Sequence, residues 1–170
     1  MLGQFIVLEG MEGAGKTTNL TFLQSLIESH LMKFGEMSLC TTREPGGTAL
    51  AEKLRALLLK DAEEAIEPLT ELLLMFAART QHLKQRIIPT LQQGDWVLCD
   101  RFVDATYAYQ GSGRGFDKQI IEQLEQWCVG QRVPDWVIVL DLPAEVSRQR
   151  VLDRGMADHF EKESPDFFSK

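Results

Sequence analysis

The chain has 170 residues, 44% of them hydrophobic and 25% charged, with a formal charge of −7. That size and balance describe one domain with a buried core, and the acidic excess argues against bulk binding to nucleic acid or an anionic membrane, which needs a net basic face. No apolar run reaches the roughly eighteen residues of a membrane span, the first residues lack an export signal, and Cys40, Cys99 and Cys128 fit neither a zinc site nor a disulfide framework, so a reducing cytoplasm is expected.

The apolar run Phe5-Ile6-Val7-Leu8 predicts a first strand over residues 4–9. It leads into Gly10-Met11-Glu12-Gly13-Ala14-Gly15-Lys16-Thr17-Thr18, which fits the pattern G-x-x-x-x-G-K-[ST]. Phosphates are crowded with charge, and only a loop poor in side chains lets backbone N–H groups close around them. The following helix turns its positive N-terminal end toward them, Lys16 adds a point charge, and Thr17 can ligate Mg²⁺. The plainer alternative is a flexible glycine turn. The preceding strand, the following amphipathic stretch and the intact Gly15-Lys16-Thr17 favour a nucleoside triphosphate site.

A helix is predicted from residue 15 or 16 to about 34, with Leu20, Leu23, Leu26, Ile27 and Leu31 on one face and Gly35 as its C-cap. Residues 37–42 read as a second strand, closed by the turn Glu44-Pro45-Gly46-Gly47. Residues 48–60 look helical, with Leu50, Leu54, Leu57 and Leu58 on the apolar side. A longer helix is predicted over 68–91, bent or ended by the late Pro89. Residues 96–99 and 136–142 read as the third and fourth strands. Between them a loop at 111–115 precedes a helix over 117–129. A last helix begins at 143–153 with Pro143 in its first turn, and residues 154–170 are charged and poorly periodic. Strands alternating with helices imply parallel βαβ units, and no repeat or linker divides the chain.

Ligands of an open parallel sheet bind beyond the carboxyl ends of its strands. The glycine loop, Arg43 after the second strand and Asp100-Arg101 after the third are therefore expected at one rim. An arginine fork matches a phosphate monoester, so two arginines there suggest a second phosphate site. Asp100 is the stronger candidate for the Mg²⁺ shell. Asp141 could hold metal-bound water or cap the helix that follows it. Phe76 and Arg79, three residues apart, share a helix face; this suits either a core phenylalanine with a surface arginine or a stacking and edge-reading pair for a base. Arg148, Arg150 and Arg154 form either a solvated face or an arginine-bearing lid that closes over transferring phosphates. His30, His82 and His159 show no ligand or triad spacing, and the first two read as helix-surface residues.

With those stretches in place, the sequence resembles the bacterial thymidylate kinases, P-loop nucleoside monophosphate kinases. The match runs through Leu8 to Thr18, Thr42-Arg43-Glu44-Pro45-Gly46-Gly47-Thr48, Phe76-Ala77-Ala78-Arg79, and Asp100-Arg101-Phe102 through Ala108-Tyr109-Gln110-Gly111. The glycine loop is widely shared; the Arg-Glu-Pro-Gly-Gly-Thr turn and the Ala-Tyr-Gln-Gly loop are far more specific. The resemblance implies a three-layer αβα fold of the P-loop NTPase type with a mainly parallel central sheet. It implies one kinase domain over residues 1–170 with a lid at about 150–163. It also implies a homodimer that transfers the γ-phosphoryl group of ATP to dTMP with Mg²⁺.

By the same resemblance, residues 10–18 would hold ATP, and Thr17 and Asp100 the metal. Lys16, Arg101 and Arg154 would be catalytic. Arg43 and Arg101 would hold the dTMP phosphate, Phe76 would stack on thymine, Arg79 would bond its O4 edge and Thr106 would read the pyrimidine edge. Tyr109 would pack near the deoxyribose, Glu12 would accept from the 3′-OH, and Gln110 would complete the substrate set. The glycine loop carries Gly13 and no arginine, which points to the kind whose catalytic arginine comes from the lid.

Three departures stand out. Asp158-His159-Phe160-Glu161 replaces the usual Asp-Arg-Ile-Glu, Ala105 stands where the family has serine, and the chain stops at Lys170. Members of the family continue past this point through a helix, a fifth strand beside the fourth, and a closing helix. The fold is therefore expected to be cut short, with the fourth strand an apolar edge. Two other readings remain: a kinase for a different nucleoside monophosphate, and a nucleotide-binding remnant without turnover. A GTPase would need an Asn-Lys-x-Asp reader, yet the only asparagine is Asn19.

Overall fold

The computed structural model describes residues 3–33, 35, 37–59 and 64–155. Four strands, β1 (Phe5–Gly10), β2 (Leu39–Arg43), β3 (Trp96–Asp100) and β4 (Trp136–Leu140), form one sheet in the order β2-β3-β1-β4. Every pairing is parallel. Each strand is short and followed by a helix, and a helical crossover returns the chain parallel to where it began. Chain order reverses beside β1: its first crossover leads to the β2–β3 side, while β4 lies on the other. The register sets Leu8 and Arg43 opposite Asp100, and Gly10 opposite Leu140, so the carboxyl ends finish level.

Side chains alternate across the sheet and separate two cores. Phe5, Val7, Val97 and Cys99 face Leu83, Ile87, Leu91 and Phe102. Ile6 and Leu98 face Ile27 and Leu31 of α1 (Lys16–Leu31), with Leu20 and Leu23 packed partly against them. Leu26, expected on that face, is exposed. Helices on both faces make the three layers that the family resemblance implies. Among the described residues β4 is an edge strand, with Trp136 and Val139 exposed.

The remaining helices are α2 (Ala49–Leu59), α3 (Pro68–His82), α4 (Ile88–Gln92), α5 (Val103–Thr106), α6 (Lys118–Cys128) and α7 (Ala144–Arg154). The helix predicted over 68–91 is one helical run, but Leu83–Ile87 between α3 and α4 is a π turn in which the Ile88 N–H donates to the Leu83 carbonyl. Pro89 has no N–H to give, and the wider turn makes room for its ring without ending the run. The loop expected at 111–115 is a correction: Tyr107–Gly113 is a second π-helical stretch continuing α5. Gln110 and Gly111 are buried there, which holds a glycine-containing segment helical against its intrinsic preference. The predicted ends at Phe34 and Lys60 lie outside the described residues.

Candidate active site

The sheet order makes the site. The glycine loop leaves β1, the central-rim strand beside which the chain order reverses, and a cavity of ≈ 620 Å³ opens beyond the strand ends. Glu12, Gly13, Gly15, Lys16, Thr17 and Thr18 line it from the loop and the start of α1. Gly10 and Met11 instead line a second cavity of ≈ 450 Å³ toward β4.

Lys16 is buried, and its Nζ donates to the carbonyls of Gly10 and Met11, each at 2.9 Å. Burial pushes its pKa down and the neighbouring Arg101 adds to this, against the carboxylates of Glu12, Asp100 and Glu9. The loop is also held from outside. Ser147 of α7 donates its hydroxyl to the Glu12 carbonyl, and Arg150 donates to the Gly13 carbonyl at 3.2 Å. Gly13 has φ 73°, and a Cβ there would lie 2.6 Å from the Ser147 carbonyl oxygen, so only glycine lets α7 approach.

Arg43, Asp100 and Arg101 reach the same cavity, as the strand ends predict. Arg43 is half-exposed and pairs with Glu52 at 2.9 Å. The Glu52 carboxyl is held below its usual range by the Gly47 N–H and, further, by Arg43. Arg101 adopts φ 68°, a left-handed conformation that costs a non-glycine residue energy. Two bonds pin it there: its own N–H donates to the Leu8 carbonyl at 3.0 Å, and the next N–H, of Phe102, donates to the Glu9 carboxylate at 2.7 Å.

The Arg101 guanidinium donates to Glu12 and lies 5.1 Å from the Tyr109 ring centre. Burial opposes its charge, but Tyr109, Glu12 and Asp100 outweigh that and keep it protonated. Asp100 has its pKa raised by burial, against the pull of Arg101 and Lys16. Its Oδ1 is buried with no hydrogen-bond partner among the described residues, and Thr17 lines the same cavity. A carboxylate oxygen and a hydroxyl are hard donors that fit Mg²⁺. No cluster of three His, Cys, Asp or Glu among the described residues could hold a metal alone, so phosphate oxygens and water would complete its shell.

At the other end the cavity is lined by Met75, Arg79, Phe102, Ala105, Tyr109 and Gln110. Arg79 is buried, not on the surface. Its Nε donates to Glu44 at 2.7 Å and its Nη2 to the Phe102 carbonyl at 2.8 Å, while Nη1 has no partner among the described residues. The rings of Phe76 and Phe102 flank the guanidinium, at 5.0 and 5.6 Å. Gln110 donates to Glu71 at 2.8 Å, and Arg114 holds the same carboxylate at 3.0 Å.

Two expected substrate residues are not brought to this cavity. Phe76 belongs to a core cluster with Leu72 and Ile121, and the cavity wall is made one residue earlier, by Met75. Both positions share a helix face with Arg79, at i−3 and i−4, so spacing alone could not choose. Thr106 is fully buried off the cavity lining. Of the late arginines, Arg150 and Arg154 line the cavity and Arg148 is exposed. Asp141 is exposed, and the following helix is capped at Pro143 without a side-chain bond. His82, read from sequence as a surface residue, is fully buried; His159 and the rest of the expected lid beyond Gly155 lie outside the described residues. Sequence reasoning assigned no role to Glu44 or Ser147, whose partners are distant in the chain and leave no local signal.

A glycine phosphate loop at the switch point of a parallel sheet, with helices on both faces, defines a P-loop NTPase fold. The thymidylate kinase family model matches residues 8–170, and the chain belongs to that family, the nucleotide-binding kinases of this fold. It is 52% identical over 168 residues to the thymidylate kinase of Pseudomonas putida, covering 99% of this chain and 78% of that protein. It is 46% identical over 170 residues to that of a Marinomonas species, covering all of this chain and 78% of that one. The crystal structure of thymidylate kinase from Ehrlichia chaffeensis superposes with a TM-score of 0.76 at 37% identity, over 90% of this chain and 84% of that chain.

Proposed function

We propose that the chain transfers the γ-phosphoryl group of ATP to dTMP, giving ADP and dTDP. The observation that carries this reading is Arg79, which lines a cavity with Lys16, Arg43 and Arg101 and whose buried Nη1 has no partner among the described residues. A guanidinium donates and never accepts, so it suits the O4 carbonyl of thymine or uracil and opposes the 4-amino group of cytosine. Met75 and Phe102 supply apolar surface for the ring, in the place assigned from sequence to Phe76.

In this reading the loop amides of residues 10–18 and Lys16 hold the β- and γ-phosphates. Arg43 and Arg101 hold the acceptor phosphate, Glu12 accepts from the 3′-OH, and Tyr109 and Gln110 close the sugar end. Asp100 and Thr17 would hold Mg²⁺, which supplies charge neutralisation on the phosphates. An oxygen of the acceptor phosphate attacks the γ-phosphorus as its bond to the β–γ bridging oxygen breaks. That oxygen is already ionised, so no general base is needed. Arg154, at the end of α7, stabilises the charge on the transferring group.

Family membership and the exposed leucines Leu69 and Leu73 on α3 and Leu50 and Leu57 on α2 support a homodimer through these helices. A monomer by light scattering at micromolar concentration overturns that part. No helix among the described residues is long and apolar enough to cross a membrane, and the three cysteines are free, in keeping with a cytoplasmic enzyme.

The test is a coupled ADP-release assay with ATP and Mg²⁺, run with dTMP, dUMP, dCMP and no acceptor. ADP release that depends on dTMP is expected. Release that ignores the acceptor, or that dCMP supports as well as dTMP, overturns the reading.

A further inference from the structure

Arg79, which lines the cavity, is one terminus of a buried polar chain. Thr42, the penultimate residue of β2, places its Oγ1 2.7 Å from His82 Nε2, and His82 Nδ1 lies 3.0 Å from Glu44 Oε1. The other oxygen of Glu44 accepts from Arg79 Nε. All four residues are buried. A carboxylate can only accept, so the His82 proton sits on Nδ1 and is given to Glu44. Nε2 is then left to accept from the Thr42 hydroxyl. The backbone is shaped around this ring: a Cβ on Gly47, which has φ 84°, would collide with His82 Nε2.

From this arrangement we infer that His82 is a positioning residue for base selection, aiming Arg79 through Glu44. The inference rests on the kinase reading above and assigns that site a selecting device one layer behind the cavity wall. Arg79 has three nitrogens to direct. Glu44 takes Nε and the Phe102 carbonyl takes Nη2, which leaves Nη1 for the ligand. That division holds only while Glu44 Oε1 is occupied by His82. Without the Nδ1–H donor the carboxylate is free to turn and engage Arg79 through both oxygens, which draws the guanidinium away from the base and withdraws the donor. Removing a donor from a buried carboxylate also leaves it under-satisfied, which favours that rearrangement.

Three variants separate aiming from mere packing. His82→Leu removes both ring nitrogens at similar volume. His82→Asn sets an amide nitrogen near the Nδ1 position, and His82→Gln sets one near Nε2. For each, dTMP affinity is measured by calorimetry, KM for dTMP and for ATP by the coupled assay, and folding by thermal melting. For His82→Leu we expect dTMP Kd and KM to rise about ten-fold, the size of effect that follows loss of a well-aimed hydrogen bond to a charged group. The dTMP over dCMP preference should fall in step while KM for ATP stays unchanged. His82→Asn should recover most of the preference and His82→Gln should not.

A folded Leu variant with wild-type dTMP affinity and preference overturns the inference, as does one whose ATP and dTMP constants worsen together. If the Leu variant does not fold, the amide pair decides, and equal behaviour of Asn and Gln overturns the inference. Wild-type protein that binds no nucleoside monophosphate overturns the kinase reading and this one together. Wild-type binding of dTMP with an indifferent residue 82 overturns this one alone.

Discussion

The Arg101 guanidinium donates to the Glu12 carboxylate across 89 residues of sequence, tying the end of β3 to the phosphate loop. Tyr109 joins them, donating to the same Glu12 oxygen at 3.3 Å. Three residues from three elements thus form one wall of the cavity.

That pair predicts a pH-dependent stability. Burial works to raise the Glu12 pKa, but Arg101 and Lys16 together with the Tyr109 hydrogen bond outweigh it and hold the carboxyl below its usual range. A carboxyl depressed in the folded state adds stability above its unfolded pKa of about 4.3, and that stability is lost as pH falls through the folded value. Glu12→Gln should therefore cost ~1 kcal/mol at pH 7. Denaturant midpoints of the two proteins should converge as the pH is taken below 4. A difference that stays constant down to pH 3 contradicts the pairing.

Met75 and Phe76 should separate cleanly. Met75 lines the cavity, so Met75→Ala should raise KM for dTMP about ten-fold through lost apolar contact and leave KM for ATP unchanged. Phe76 is 1% exposed within a core cluster and beside Arg79, so Phe76→Ala should cost ~3–5 kcal/mol of stability. Chemical denaturation and steady-state kinetics on both variants check this. Loss of dTMP binding by Phe76→Ala without loss of stability would return the stacking role to Phe76.

Lys16→Met should lower kcat by roughly 10²–10³-fold, the usual cost of losing one charge-stabilising donor at a phosphoryl centre. Its ammonium also holds two loop carbonyls, so some loss of melting temperature accompanies it. Single-turnover kinetics with the variant shown to be folded are decisive, and a kcat within ten-fold of wild type rules the role out.

Gly13→Ala tests the seating of the phosphate loop on α7. Its left-handed backbone alone makes alanine cost ~1–2 kcal/mol, and the added Cβ would press on the Ser147 carbonyl. Thermal stabilisation by ATP should shrink in this variant. Stabilisation equal to that of wild type would show that the contact with α7 does not shape the loop.

Hydrophobic periodicity and one glycine pattern were enough to locate β1 to β4, the phosphate loop and the helices between them other than the helical stretch over Val103–Gly113, because those signals are local. Arg43, Asp100 and Arg101 were legible as a rim set for a related reason: each sits at or just past the end of a strand, and parallel topology brings strand ends to one level.

The inner end of the site followed other rules. Met75 and Phe76 are both helical neighbours of Arg79, and their fates were decided by the rotation of α3 when Leu72 and Phe76 packed against Ile121 of α6. The π-helical stretch at Tyr107–Gly113 contradicts its glycines because burial of Gln110 and Gly111 outweighs local propensity. His82 carries no sequence mark at all. Its partners Thr42 and Glu44 lie 40 and 38 residues away, and only the packing of α3 against the end of β2 makes it a buried link to Arg79. The sequence by itself determined the strands, the phosphate loop and the charges at the rim, since each depends on residues adjacent in the chain. Which side chains line the inner end of the cavity and what holds them there was decided by tertiary packing, because that choice depends on how whole helices rotate and settle against one another.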